Sequence, residues 1–273
     1  MIALYAGQAV SQFLLNLNNA WPTIPFIAAS ILLSLAVIPV ALTQIPAPAL
    51  PEGSVMRLPQ LYRASPLGVV GAAATGVMLG AFYGVGAVFA KGIGLNTAGT
   101  ALFMSATILG GLALQWPLGR LSDAIDRRTV IVVTILVTLM VCFGMVAIAE
   151  NRGQMMLGGA LFGGACFALY PLCVAHTNDH LRSMQRVAAS GGLVLVYSIG
   201  AVLGPLGAAG FMELFGPRGL FLFIGSCAAL LLGFATLRLR IGPPVPDSRQ
   251  GPYQTLPRTT PVAAALDPLM PAK

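Results

Sequence analysis

The chain has 273 residues, of which 57% are hydrophobic and only 8% charged, and its mean hydropathy is +0.85. That balance excludes an ordinary soluble domain, in which about a quarter of residues are charged. The formal net charge of +7 does not indicate nucleic acid either, because the basic residues form no stripe with interleaved aromatics. They fall in the gaps between apolar runs. The apolar mass is mainly Ala, Val, Leu and Ile, with 32 glycines, a mixture suited to helices packed closely in lipid.

A helix needs about 20 apolar residues to cross a bilayer, and eight stretches are of that kind. The first covers 2–17. It is short, and it places Gln8, Gln12 and Asn16 four residues apart on one face. That face either lines a central cavity or hydrogen-bonds to another helix. The stretch lacks the basic start and the small-residue cleavage site of a signal peptide. The second span covers 24–43. Residues 44–66 hold five prolines and two arginines and read as an extended linker. Six further spans follow at 67–90, 98–118, 129–149, 155–175, 187–211 and 220–237. The tail, 241–273, has eight prolines and no apolar periodicity, and reads as disordered. The fold class is all-α integral membrane, with units at 1–43, 44–66, 67–240 and 241–273.

Side chains within the spans supply the candidate chemistry. Tyr83, Tyr170 and Tyr197 each offer a ring to stack and a hydroxyl to bond, and tyrosine is also ordinary core material. Gly200, Gly204 and Pro205 give a flat face and a bend in the seventh span, for which plain packing is the simpler reading. Cys142, Cys166, Cys173 and Cys227 lie inside spans without a CxxC pair and read as small packing residues. His176 and His180, beside Asp179, have the spacing of a helical metal site. They are the only two histidines, too few for a catalytic metal. No cofactor, metal or enzymatic chemistry is expected. The rival reading to a carrier is a non-transporting membrane scaffold or sensor.

Alternating the eight spans puts twelve of the 15 basic residues on one side, with Lys91, Arg152 and Arg218 on the other. Basic loops stay cytoplasmic. Both termini are therefore expected in the cytoplasm.

Between the fourth and fifth spans stands GRLSDAIDRR, Gly119 to Arg128, with five charged residues in ten positions. It resembles the signature loop of the major facilitator superfamily, G-x-L-(A/S)-D-(R/K)-x-G-R-(R/K). Gly119, Leu121, Ser122, Asp123, Arg127 and Arg128 match that pattern; Ala124 and Asp126 depart from it. By its residues alone, the stretch reads as a turn, with Gly119 ending the helix before it, Asp123 facing a helix N-terminus or a nearby Arg, and Arg127 and Arg128 at the membrane surface. The stretches LYPLCVAHTND, GGLVLVYSIGAVLGP and LFGPRGLFLFI (within 169–224) are similar to the YcaD-type branch of the superfamily, bacterial inner-membrane proteins.

The resemblance implies a C-terminal six-helix half preceded by two helices of the other half, with the first four helices of a twelve-helix carrier absent. It implies a secondary carrier of a small molecule, with the charged loop as a conformational latch. In that family the groups for proton coupling often sit in those first four helices. Alone, the 273-residue chain is expected not to transport, and a missing N-terminal half or a homo-oligomer would supply the second wall. By the family's pseudo-symmetry, Asp123 is expected to approach the start of the first span, near residues 2–5.

Overall fold

The computed structural model describes residues 2–19, 23–42, 56–147 and 152–241, and every element within them is helical. The helices are α1 (Ile2–Ser11), α2 (Ile24–Leu42), α3 (Leu58–Ala64), α4 (Pro66–Gly92), α5 (Thr97–Ala124), α6 (Arg127–Ala147), α7 (Arg152–Asp179), α8 (Ser183–Phe215) and α9 (Gly219–Ile241). A 3-10 segment, Gln12–Asn19, continues α1. Six helices, α4 to α9, are long and apolar enough to cross a membrane. The apolar run in α2 is shorter, from Ile24 to Pro39.

The first span departs from the continuous helix expected over 2–17. The Gln8 carbonyl accepts from the Ser11 hydroxyl at 2.9 Å and from Gln12 Nε2 at 3.3 Å. In an α-helix that carbonyl would take the Gln12 N–H, so these side chains compete with the ladder and the helix tightens. Four residues of 3-10 helix turn through about 480° against about 400° in an α-helix. Asn16 is thereby rotated some 80° off the line through Gln8 and Gln12.

The linker also departs from expectation, because Leu58–Ala64 is helical rather than extended. Pro59 sits in the first turn, where its missing N–H costs nothing. The Gln60 side-chain oxygen accepts from the Arg57 N–H at 3.3 Å, and the Gln60 N–H returns to the Arg57 carbonyl at 2.9 Å. Leu61 is fully buried. Residues 43–55 and the tail beyond 241 lie outside the described residues.

Two helix pairs form the frame, α4 against α8 and α5 against α7, with α6 and α9 packed outside them. Glycine permits both approaches. A Cβ at Gly76 or Gly80 would strike the Tyr197 or Ala201 carbonyl of α8, and one at Gly200 or Gly204 would strike the Ala73 or Val77 carbonyl of α4. Across the other pair, Gly110 meets the Ala160 carbonyl and Gly163 the Thr107 carbonyl. Pro205 removes the N–H that would satisfy the Ala201 carbonyl. That carbonyl faces Gly80, whose Cα–H stands against it.

The two ends of the bundle differ. Away from the α5–α6 turn, phenyl rings fill the interior: Phe89 lies 4.9 Å and Phe162 5.5 Å from Phe221, and Phe82 lies 5.4 Å from Phe162. The end that carries the α5–α6 turn is basic. α1 lies on α5 and buries Tyr5 and Ala9. Among the described residues α2 leans chiefly on the 3-10 segment, and most of its side chains are exposed.

Candidate functional site

The stretch from Gly119 to Arg128 is hardly a loop. α5 runs on past Gly119 to Ala124 and α6 starts at Arg127, which leaves Ile125 and Asp126 as the turn. Gly119 is buried inside α5 and does not end it. Asp126, at the position where glycine is usual, caps α6: its Oδ1 accepts from the Arg128 N–H at 3.1 Å. The two arginines are not at the surface. The Arg127 side chain is 2% exposed, and Arg128 is also buried.

Arg127 ties three helices together. Its Nε donates to Ser122 Oγ at 2.8 Å, one terminal nitrogen to Asp123 Oδ1 at 3.0 Å, and the other to Asp179 Oδ2 at 2.6 Å. Ser122 and Asp123 lie at the end of α5, and Asp179 is the last residue of α7. The Asp179 side chain is 2% exposed while that of Asp123 is 39% exposed. A buried guanidinium costs several kcal/mol in lost hydration unless carboxylates and hydrogen bonds replace the water. Here two carboxylates and a hydroxyl do so. Arg128 holds Asp126 at 3.4 Å. Leu121 stands outside the knot, partly exposed.

Asp179 was legible only as a neighbour of two histidines. Its spacing of 52 residues from Arg127 leaves no local pattern. His176 is buried, its ring lies 4.7 Å from that of His180, and His180 Nδ1 pairs with the His176 carbonyl at 2.8 Å. Among the described residues no group of three or more His, Cys, Asp or Glu side chains is placed to hold a metal.

A second cluster lies at mid-depth. Phe167, in the middle of α7, stacks on Tyr5 at 6.0 Å and meets Tyr83 of α4 at 5.8 Å. Gly111 of α5 makes room for the Phe167 ring. Tyr170, one turn further along α7, meets Tyr197 of α8 edge-on at 4.9 Å and is buried, while Tyr83 and Tyr197 remain half-buried. The three tyrosines named from sequence thus line adjacent turns of α7, Tyr83 against Phe167 and Tyr197 against Tyr170. Gln8, Gln12 and Asn16 are half-buried, on the short helix that Tyr5 anchors. Gly200, Gly204 and Pro205 continue along α8 from Tyr197 as the seam with α4. Gln115 escaped the sequence reading. It is buried one turn beyond Gly111 on α5, and its Nε2 has no hydrogen-bond partner among the described residues. Such an orphaned donor costs about 1–3 kcal/mol. The signal was present, since an amide inside a span is costly wherever it occurs.

The structure corrects the expected contact of Asp123 with residues 2–5. Tyr5 sits at the level of Phe167, twelve residues or about 18 Å of helix from Asp179. Asp123 meets Arg127 instead.

Comparison with known proteins gives the family. A family profile, the Major Facilitator Superfamily, matches residues 69–269. The chain belongs to the major facilitator superfamily. It is 30% identical over 239 residues to the uncharacterized MFS-type transporter YcaD of Salmonella dublin, covering 85% of this chain and 60% of that one. An uncharacterized MFS-type transporter of Enterobacter sp. (strain 638) is 29% identical over 238 residues, with the same coverage of 85% and 60%. The chain therefore spans about 60% of the length of the curated relatives it matches. As a superfamily member of YcaD type with six membrane-capable helices, it is a multi-pass membrane protein.

Proposed function

We propose that the protein is a secondary carrier of a small molecule, and that the Arg127 knot latches one of its conformations. The observation that carries this reading is the buried Arg127, clasped by side chains of α5 and α7 at the superfamily's signature stretch. Rearranging α5 against α7 would require that clasp to open, so it weights one state over the other. The cargo meets Tyr83, Tyr170 and Tyr197, the amide of Gln115, and the polar face of Gln8, Gln12 and Asn16. It is uncharged, because no Asp, Glu, Lys, Arg or His stands in the central part of any of the helices α4 to α9. A second wall, from a further part of the protein or a second copy, would close the cavity. The basic end faces the cytoplasm.

Counterflow in proteoliposomes holding the chain assembled with its second wall tests the activity, with a panel of neutral aromatic metabolites and sugars as probes. Saturable exchange that Asp179→Asn abolishes without altering insertion is expected. Wild-type exchange in that variant would show that the knot is no latch. Orientation is read by thiol labelling of intact cells: Gly153→Cys should react with an impermeant reagent and Ser183→Cys should not. The reverse pattern would refute the topology.

A further inference from the structure

The short helix α3 has no role in the carrier reading, and its surroundings point to a ligand. Ser65 closes α3 and opens α4 with φ −146° and ψ 79°, so the two helices do not share an axis. α3 lies beside α8 instead: a Cβ at Gly192 would be 2.8 Å from Leu61 Cδ2 and 3.7 Å from Leu58 Cδ2. α8 has 33 residues, about 50 Å of helix, against a hydrocarbon core of about 30 Å. An upright, centred α8 would therefore place roughly 10 Å at each end in the headgroup region. Gly192 is nine residues, about 13 Å, from the start of α8. With α8 upright and centred in a bilayer, that depth would lie close to the boundary between headgroups and acyl chains.

At this depth α3 divides its side chains by chemistry. Leu61 is buried against the bundle, while Leu58 and Tyr62, four residues apart on one flank, are exposed. Arg57 and Arg63 are exposed beside them, and so is Arg182 at the start of α8. Asp123, Asp126 and Asp179 at this end are taken up by Arg127 and Arg128. Among the described residues no carboxylate lies within ion-pair distance of Arg57, Arg63 or Arg182. Exposed apolar groups at the acyl boundary with uncompensated arginines beside them match one partner in chemistry, an anionic lipid.

We propose that α3 is an interfacial helix that binds anionic phospholipid headgroups. Arg57 and Arg63 hold the phosphates, and Leu58 and Tyr62 enter the acyl boundary. Anchoring α3 in this way would fix the start of α4 relative to the bilayer. This assignment is independent of transport.

The test uses the full chain with Trp21→Phe, Trp116→Phe and Tyr62→Trp, so that one tryptophan reports from α3. It is reconstituted in phosphatidylcholine vesicles containing brominated phosphatidylglycerol or, at equal mole fraction, brominated phosphatidylcholine. Brominated phosphatidylglycerol should quench more, with a relative affinity roughly two- to five-fold higher. High salt should erase the preference, as should R57Q/R63Q. Millimolar inorganic phosphate at constant ionic strength should leave it intact. Equal quenching by the two lipids at low salt would overturn the proposal. So would quenching by neither lipid, which would mean that protein, such as a second copy, covers this face. Persistence of the preference in R57Q/R63Q, or its loss to inorganic phosphate, would overturn it too. The salt titration decides the matter even if the double variant fails to fold.

Discussion

The middle of the bundle and its basic end hold together in opposite ways. At mid-depth, glycines bring backbones into contact and aromatic rings fill the remaining space, with no Asp, Glu, Lys, Arg or His in the central part of any of the helices α4 to α9. At the basic end buried Arg127 is paired with buried Asp179 and partly exposed Asp123, and Arg128 is paired with Asp126. The difference follows from dielectric. Where water is absent, shape alone sets the contact; where the helices emerge, charge is tolerable if each ion finds its counter-ion. A rearrangement that slides α5 against α7 therefore meets a steric seam in the middle and an electrostatic clasp at the end.

Asp179→Ala attacks the clasp most severely. It leaves Arg127 buried with one half-exposed carboxylate, a loss on the order of 3–5 kcal/mol. Thermal unfolding in detergent should show a large drop, and R127M/D179L, which removes the charge with its partner, should recover most of it. An Asp179→Ala variant of wild-type stability would break the contrast.

The seam comes next. Gly163→Leu drives a side chain into the Thr107 carbonyl of α5, and overpacking of this kind costs about 1–3 kcal/mol or more. If the variant unfolds at the wild-type temperature, α5 and α7 are not in the close contact described. A smaller effect is expected for Asp123→Asn, because its carboxylate is 39% exposed and water already shares the load. About 1 kcal/mol is expected, measured as a modest fall in unfolding temperature. A loss equal to that of Asp179→Ala would show the two carboxylates to be equivalent. Smallest of all is Gly144→Ala, where a Cβ meets nothing within 4 Å. Helix propensity favours alanine by up to about 1 kcal/mol, so unfolding should stay level or rise slightly.

Much of this organisation was readable in advance. The spans seen as α4 to α9 stand out because apolar length is a local property, and the three tyrosines are candidates because polar groups in lipid must have a reason to be there. Gln115 was legible by the same rule. The helix at Leu58–Ala64 was hidden by its prolines, since Pro59 breaks a helix in the interior but suits a first turn. The 3-10 segment was hidden because the pattern of Gln8, Gln12 and Asn16 is helical, while the rivalry for the Gln8 carbonyl shows only in coordinates.

The sequence by itself determined that this is a multi-helix membrane protein, where its six long spans lie, and that GRLSDAIDRR resembles the superfamily's signature stretch. Those features depend on composition and on neighbours a few residues apart. Only the tertiary structure decided which way the charges point. Arg127 could have faced the headgroups, as a basic residue at a helix start ordinarily does. It turns inward because the packing of α5 on α7 brings Asp179, 52 residues away in sequence, to the same buried point as Ser122 and Asp123. A guanidinium there keeps its hydrogen bonds while shedding its water.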